Sequence, residues 1–119
     1  MRVKANEGTM IRKERLKDGV GFVDMRQLMT PEEFAGTGRL FNVMTLKPGH
    51  SVGDHLHEGD WEAYYFLSGS GHYDDNGTIY QTEPGDFFLC KDGERHYLLN
   101  NGKEDLVFLA LIVYSKSNQ

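Results

Sequence analysis

The chain has 119 residues, the size of one domain with a single hydrophobic core. Its 13 basic and 18 acidic residues give a formal net charge of −5, so we expect neither nucleic acid nor a membrane surface as a partner. A single cysteine, Cys90, excludes an intramolecular disulfide framework and a cysteine-rich zinc site, and it favours a reducing, cytoplasmic location.

Residues 1–38 are predicted to form an N-terminal arm that packs on the rest of the domain. The arm begins with polar residues and has no apolar segment of the kind that a secretory signal requires. The stretch VGFVDM at 20–25 is its best strand candidate. Thr30-Pro31-Glu32-Glu33 combines a capping threonine, a proline and a following glutamate, which predicts a short helix that Gly36 ends within about two turns.

Residues 39–116 are predicted to form a β-barrel. Short apolar runs alternate with glycine, proline and asparagine turns, and Asn76-Gly77 is the strongest hairpin signal. The run LVFLALIVY at 106–114 is too short for a membrane helix, which needs roughly 20 residues, and it is typical of a strand covered on both faces. The predicted strands cover residues 39–46, 62–69, 71–75, 78–82, 86–91, 95–100 and 106–114.

The stretch HLHEGDWE at 55–62 places two histidines on one face of a strand. Side chains two residues apart on a strand have attachment points roughly 6.5–7 Å apart, so His55 and His57 can converge on one ion. Glu62, at the start of the next strand, can add a third ligand if it points inward. A fourth ligand is still needed, and the second half of the chain offers His96, on a strand that follows the tight turn at Asp92-Gly93.

Two spaced motifs resemble a known family. Residues 49–69 match G-x5-H-x-H-x4-E-x6-G, and residues 85–100 match G-x5-P-x-G-x2-H-x3-N with Lys91 in place of the proline. These are the two signatures of the cupin superfamily, and the chain is most similar to its small, single-domain bacterial members. The resemblance implies a double-stranded β-helix, or jelly-roll barrel, with one metal ion deep inside, bound by His55, His57, Glu62 and His96.

The implied ligand set indicates what kind of ion it would hold. Three neutral imidazoles and one carboxylate suit a divalent first-row metal, and manganese, iron, cobalt, nickel and zinc are all compatible with them. Four protein ligands leave up to two positions of a six-coordinate ion open, which a catalytic metal needs for substrate or water. The competing interpretation, ordinary polar residues of the surface or core, is disfavoured by the matched spacings.

Strand alternation extends the list of candidate pocket residues. Counting by twos from the predicted ligands gives four further inward-facing positions, Tyr64, Phe66, Leu98 and Asn100. Phe66 and Leu98 are equally well explained as barrel filling. Tyr64 is the candidate catalytic residue, because a phenol beside a metal can orient a substrate or donate a proton.

Three charged residues near the motifs have open roles. Arg39 is either part of a salt bridge or a clamp for the carboxylate of an acidic ligand. Lys91 either brings a cation to the barrel mouth or is a solvated turn residue. Glu58 has the wrong strand parity to share the face of the two histidines and is expected in a loop.

The sequence therefore predicts a metal-dependent enzyme of isomerase, lyase or dioxygenase type. Its substrate would be a small polar carboxylate, keto acid or sugar that chelates the metal. The alternative is a non-catalytic module that holds a metal or a metabolite. We also expect a homodimer, because the strand at 106–114 needs cover on both faces and because small cupins resemble one another in pairing through their sheets.

Overall fold

The protein is described by a computed structural model that covers residues 1–116. These residues form two antiparallel β-sheets around a shared core, and the all-β prediction is confirmed. The strands are β1 (Met10–Glu14), β2 (Phe22–Met29), β3 (Gly38–Leu46), β4 (Ser51–Leu56), β5 (Asp60–Ser68), β6 (His72–Asp75), β7 (Thr78–Gln81), β8 (Phe87–Cys90), β9 (Arg95–Leu99) and β10 (Leu106–Tyr114). One sheet has the order β1-β2-β3-β10-β5-β8, and the other has the order β4-β9-β6-β7.

Strand β10 lies in the middle of the six-stranded sheet, between β3 and β5. Its alternate residues Leu106, Phe108, Ala110 and Ile112 are buried in the core, as the period of two in a strand requires. The residues between them are only half-buried. The second face of this strand is therefore not fully covered within one chain, contrary to what its continuous apolar sequence indicates.

The N-terminal arm contributes two strands to the same sheet. Strand β2 pairs with β3, and β1 pairs with β2 at the edge of the sheet. The predicted strand at 20–25 is thus the beginning of β2, whereas β1 was not expected. The domain boundary between residues 38 and 39 stays a prediction, since the arm and the barrel share this sheet.

The predicted short N-terminal helix is not observed; a single turn of 3-10 helix, Glu32–Phe34, takes its place. The capping pair does form: the Thr30 N–H donates to Glu33 Oε1 over 2.8 Å. The helix cannot continue because Ala35 and Gly36 have left-handed backbone angles, with φ of 51° and 83°. None of the helical segments within residues 1–116 has the length and hydrophobicity needed to cross a membrane.

The core between the sheets is rich in aromatic side chains. Tyr73 stacks on Phe88 with ring centroids 4.1 Å apart, and Tyr64 packs against Phe108 at 4.7 Å. Fully burying a large apolar side chain contributes roughly 1.5–3 kcal/mol, so these rings are a major source of stability. The Tyr64 ring also lies 5.0 Å from the imidazole of His96, so this aromatic core packs directly against one of the predicted metal ligands.

Candidate metal centre

The four predicted metal ligands come together between the two sheets. His55 on β4 and His96 on β9 are direct cross-strand partners in the four-stranded sheet. Glu62 reaches them from β5 in the other sheet, and His57 follows the end of β4. One ligand atom from each of the four lies within 4.8 Å of those of the other three. The structure therefore brings together the whole set that the motifs indicate.

The distances within this cluster fit a single six-coordinate ion. Nε2 of His96 lies 3.0 Å from Nε2 of His55 and 3.1 Å from Nε2 of His57. Oε1 of Glu62 lies 3.1 Å from Nε2 of both His57 and His96, and 3.9 Å from Nε2 of His55. Adjacent corners of an octahedron with bonds of about 2.1 Å are about 3.0 Å apart. Four close contacts match that spacing, so the cluster could hold one metal ion and leave two corners open.

Hydrogen bonds on the far side of two imidazoles set which nitrogen faces the cluster. Nδ1 of His55 donates to the carbonyl oxygen of Gly53 over 2.7 Å, and Nδ1 of His57 donates to Oδ1 of Asp60 over 2.6 Å. A carbonyl and a carboxylate oxygen only accept hydrogen bonds, so each Nδ1 carries the proton. The Nε2 lone pairs are then free for a metal, the usual arrangement for ligating histidines.

The third imidazole has a different partner. Nδ1 of His96 lies 2.8 Å from the hydroxyl oxygen of Tyr73, which is fully buried. Burial raises the pKa of the Tyr73 phenol, so this oxygen is a neutral hydroxyl rather than a phenolate. The backbone of His57 is also anchored, because its N–H donates to the carbonyl oxygen of Glu94 over 2.9 Å.

The protonation of the cluster suits a divalent cation. Burial acts to raise the pKa of Glu62, but the three imidazoles packed around the carboxylate outweigh it and hold that pKa well below its usual value. Burial lowers the pKa of His96, with Glu62 only partly offsetting it. Burial also acts to lower the pKa of His57, but the neighbouring carboxylates of Glu62 and Asp60 outweigh it and raise that pKa overall. A charged carboxylate among imidazoles is a donor set that binds first-row metals.

Three residues of the cluster, His55, His57 and Glu62, line a cavity of about 160 Å³. Its walls are mainly apolar, and the side chains responsible are Leu16, Met25, Leu40, Met44, Val52 and Ile112. Three cations complete the lining, Lys13, Lys17 and Arg39. An apolar pocket with a few convergent polar groups is typical of a small-molecule site.

Two of the other predicted site residues line this cavity. Tyr64 is 2% exposed, and burial raises the pKa of its phenol well above the usual value, so it keeps its proton at neutral pH. Arg39 forms a salt bridge with Asp60, with Nη2 and Oδ2 3.2 Å apart. Because Asp60 also accepts from His57, Arg39 is connected to the cluster through one shared carboxylate.

Phe66, Leu98 and Asn100 lie outside the wall of this cavity. Phe66 and Leu98 are core residues with exposures of 0% and 1%. The Asn100 amide donates to the carbonyl oxygens of Leu46 and Glu104, both over 2.8 Å, and this pins the loop before β10. All three point inward as their parity indicates, but a barrel interior is mostly filled with packed side chains.

Lys91 and Glu58, the residues whose roles were open, are both exposed. The backbone N–H of Lys91 donates to the Glu94 carboxylate over 2.8 Å, as expected for a turn. The predicted site did not include Asp60 and Tyr73, the partners of the histidines, or the cavity lysines Lys13 and Lys17. Of these residues, only Asp60 has a sequence position that could have indicated its role, because it lies three residues after His57 at the start of a strand.

Comparison with known proteins decides the family. The Cupin domain model matches residues 42–113, which is more than half of the chain. The chain belongs to the cupin family. This cupin is 42% identical over 113 residues to an oxalate-binding protein of Thermotoga maritima, a match that covers 95% of this chain and 93% of that protein.

Solved structures agree with this assignment. A crystal structure from Thermotoga maritima, described as a predicted oxalate decarboxylase, matches with a TM-score of 0.92 and 41% identity over 97% of this chain and 100% of that one. The polyketide cyclase RemF from Streptomyces resistomycificus matches with a TM-score of 0.75 at 18% identity, over 98% of this chain and 80% of that one, and shares the fold alone. The predicted double-stranded β-helix is confirmed.

Proposed function

We propose that this cupin is a metal-dependent enzyme that acts on a small carboxylate such as oxalate or a keto acid. The observation that carries the proposal is the convergence of three imidazole nitrogens and one carboxylate, in a cluster of which His55, His57 and Glu62 line a cavity of about 160 Å³. A cavity of about 150 Å³ holds a molecule the size of benzene, so a ligand of about six non-hydrogen atoms fits. A hexose is too large to be enclosed, which favours the carboxylate and keto acid over the sugar.

The name of the 42% identical relative, an oxalate-binding protein, supports the same ligand class. In this proposal His55, His57, Glu62 and His96 hold one divalent first-row metal, which supplies a Lewis acid for a carboxylate oxygen. The apolar walls keep water away from the bound carboxylate and so strengthen its electrostatic interactions. Among isomerase, lyase and dioxygenase reactions, we favour a lyase, because loss of a carboxyl group leaves a carbon to be protonated and the buried Tyr64 holds a proton in the cavity.

A second candidate function is a non-catalytic carboxylate-binding module. The composition of the cavity lining favours it: beyond the proposed metal ligands and Tyr64, the lining side chains are apolar or cationic. The lining therefore offers no carboxylate, imidazole or thiol that could act as a base without leaving the metal. In that case the protein would hold the ligand unchanged.

Calorimetric titration of oxalate into protein reloaded with Mn²⁺ tests the proposal. We expect binding to the loaded protein, none to the metal-free protein, and none to a His57→Ala variant that stays folded. An assay for consumption of oxalate then separates enzyme from binding module. Absence of carboxylate binding by the fully loaded protein would contradict both functions.

We also propose that the protein is a homodimer formed through the outer face of the six-stranded sheet. The outward residues of β10 are apolar and half-buried, and Tyr65 and Leu67 on the neighbouring strand are 44% and 42% exposed. A second copy of the chain is the proposed partner of this face. Most soluble oligomers are symmetric homo-oligomers, and the apolar face of one copy can pack against the same face of the other. Light scattering after size exclusion should give twice the chain mass. Leu109→Arg should give a monomer, and Ile79→Arg on the other sheet should not.

The cytoplasmic location stays a prediction and rests on the single cysteine. Cys90 is buried, and burial raises the pKa of its thiol to about 12, so the thiol is unreactive at neutral pH. Fractionation of the cells that express this protein would test the location.

A further inference from the structure

The N-terminal arm brings two lysines to the cavity. Lys13 on β1 and Lys17 in the turn after it both line the cavity. Within residues 1–116, neither ammonium forms an ion pair with a carboxylate, whereas the third cation, Arg39, is paired with Asp60. The chain as a whole carries a formal charge of −5, so this mouth is a local concentration of uncompensated positive charge.

The register of β1 places Lys13 on the inward face of the sheet. Lys13 is the direct partner of Val23, which is fully buried in the core. Directly opposed residues of antiparallel strands share a face, so Lys13 projects to the cavity side. Arg12, on the other face, instead forms a salt bridge with Asp24 over 2.7 Å. Lys13 is nevertheless solvent-exposed, as is Lys17, so both ammonium groups can meet an anion that enters the cavity.

The turn that carries Lys17 has an unusual backbone. Arg15, Lys17 and Asp18 all have left-handed conformations, with φ of 52°, 54° and 63°. Residues other than glycine rarely adopt this conformation, because Cβ approaches the following carbonyl oxygen. Such strain persists only where the surrounding structure enforces it, and it clusters at functional sites such as ligand clamps.

Close packing on β4 enforces this turn. A Cβ atom added at Gly53 would overlap the carbonyl oxygen of Lys17, and one added at Gly19 would overlap that of Ser51. The chain leaving the turn is then joined to β4 by two hydrogen bonds, from Val20 N–H to Ser51 Oγ over 2.8 Å and from Ser51 N–H to the Val20 carbonyl oxygen over 2.9 Å. The backbone position of Lys17 is therefore fixed by packing against β4.

We propose that Lys13 and Lys17 form an anion-binding rim that makes the site selective for small dicarboxylates over monocarboxylates. The inference rests on the proposed function, in which one carboxylate of the ligand binds at the histidine cluster. The second carboxylate then faces the two ammonium groups, which bind it by charge-assisted hydrogen bonds. A monocarboxylate has no second charge for the rim, so the lysines discriminate between the two ligands.

The test compares oxalate with pyruvate in calorimetric titrations of Mn²⁺-loaded protein. The variants are Lys13→Gln, Lys17→Gln and the double variant, each with its metal content measured. Lys17→Arg keeps the charge, and Lys103→Gln removes an exposed lysine that does not line this cavity. We expect each glutamine to weaken oxalate binding about five- to tenfold and pyruvate binding less than about twofold, with Lys17→Arg and Lys103→Gln close to the wild type.

Two outcomes would overturn the inference while leaving the proposed function intact. One is a fully loaded double variant that binds oxalate as tightly as the wild type. The other is an equal loss of affinity for oxalate and for pyruvate, which would show that the two lysines do not bind the second carboxylate of the ligand. Failure of the loaded wild type to bind either ligand would instead overturn the proposed function, and the inference with it.

Discussion

The hydroxyl oxygen of Tyr73 lies 2.8 Å from Nδ1 of His96, and it is the partner that orients this imidazole. With a metal ion bound to Nε2 of His96, Nδ1 would carry the ring proton and donate it to the Tyr73 oxygen. The other two histidines use a backbone carbonyl and a carboxylate for the same purpose. His96 therefore depends on a neutral phenol from β6, in the same sheet.

Tyr73→Phe should weaken metal binding while leaving the fold intact. The phenylalanine ring keeps the stacking on Phe88, but His96 loses its hydrogen-bond acceptor. Loss of such a partner typically costs 10–100-fold in metal affinity, and we expect about tenfold. Competition with a chromophoric chelator measures it, with Tyr80→Phe on the exposed strand β7 as the control. Equal affinity in both variants would show that Tyr73 does not orient His96.

Tyr64→Phe should separate binding from catalysis. The substitution removes the proton donor but keeps the ring that packs against Phe108. We expect metal content and oxalate affinity within about twofold of the wild type, and turnover lower by about 10²–10⁴-fold, the usual contribution of general acid catalysis. Steady-state kinetics give the result. Unchanged turnover would remove Tyr64 from the mechanism.

Asn42→Leu should stabilise the protein. Asn42 is 3% exposed, and its Oδ1 has no hydrogen-bond partner within the described chain, while Nδ2 has only Met25 Sδ at 3.6 Å. A buried unsatisfied polar atom costs about 1–3 kcal/mol, so leucine should raise the free energy of unfolding by about 1–2 kcal/mol. Urea denaturation measures the change. Asn100→Leu is the contrast, because its bonded amide should make that substitution destabilising; a loss of stability in both would refute the assignment for Asn42.

Asp24→Asn should change the pH dependence of stability. The hydrogen bond from Arg12 lowers the pKa of Asp24, with burial opposing it. A carboxyl whose pKa is lower in the folded protein stabilises it above the unfolded pKa of about 3.9 and loses that contribution as the pH falls through the folded pKa. The variant should therefore melt below the wild type at pH 7 and together with it in strong acid. A constant difference in melting temperature across this range would contradict the expectation.

The histidine and glutamate cluster could be predicted from the sequence motifs, but the partners that orient its imidazoles could not. The motif spacings identified this cluster, and short strands and tight turns bring together its four residues, His55, His57, Glu62 and His96. Tyr73, by contrast, meets His96 only through the pairing of β6 with β9, and nothing local in the hairpin sequence marks it.

The N-terminal arm was predicted least well. The stretch MIRKE of β1 has little apolar alternation, so neither the strand nor the inward position of Lys13 could be seen before its register with β2 was known. The capping pair of Thr30 and Glu33 was predicted and forms, yet the left-handed Ala35 ends the turn that it begins. Local signals mark where such a segment starts, and tertiary packing decides how far it extends.

Elemental analysis of the metal-reloaded protein tests the central claim most directly. Protein purified without a chelator or a histidine tag would be reloaded with Mn²⁺, dialysed and measured by inductively coupled plasma mass spectrometry. The variants are His96→Ala and, as a matched control, His72→Ala, whose half-buried imidazole packs on Tyr97 away from the cluster. We expect about one metal per chain in the wild type and in the control, and less than about one-tenth in His96→Ala. A full equivalent in His96→Ala, or none in the wild type, would contradict the account.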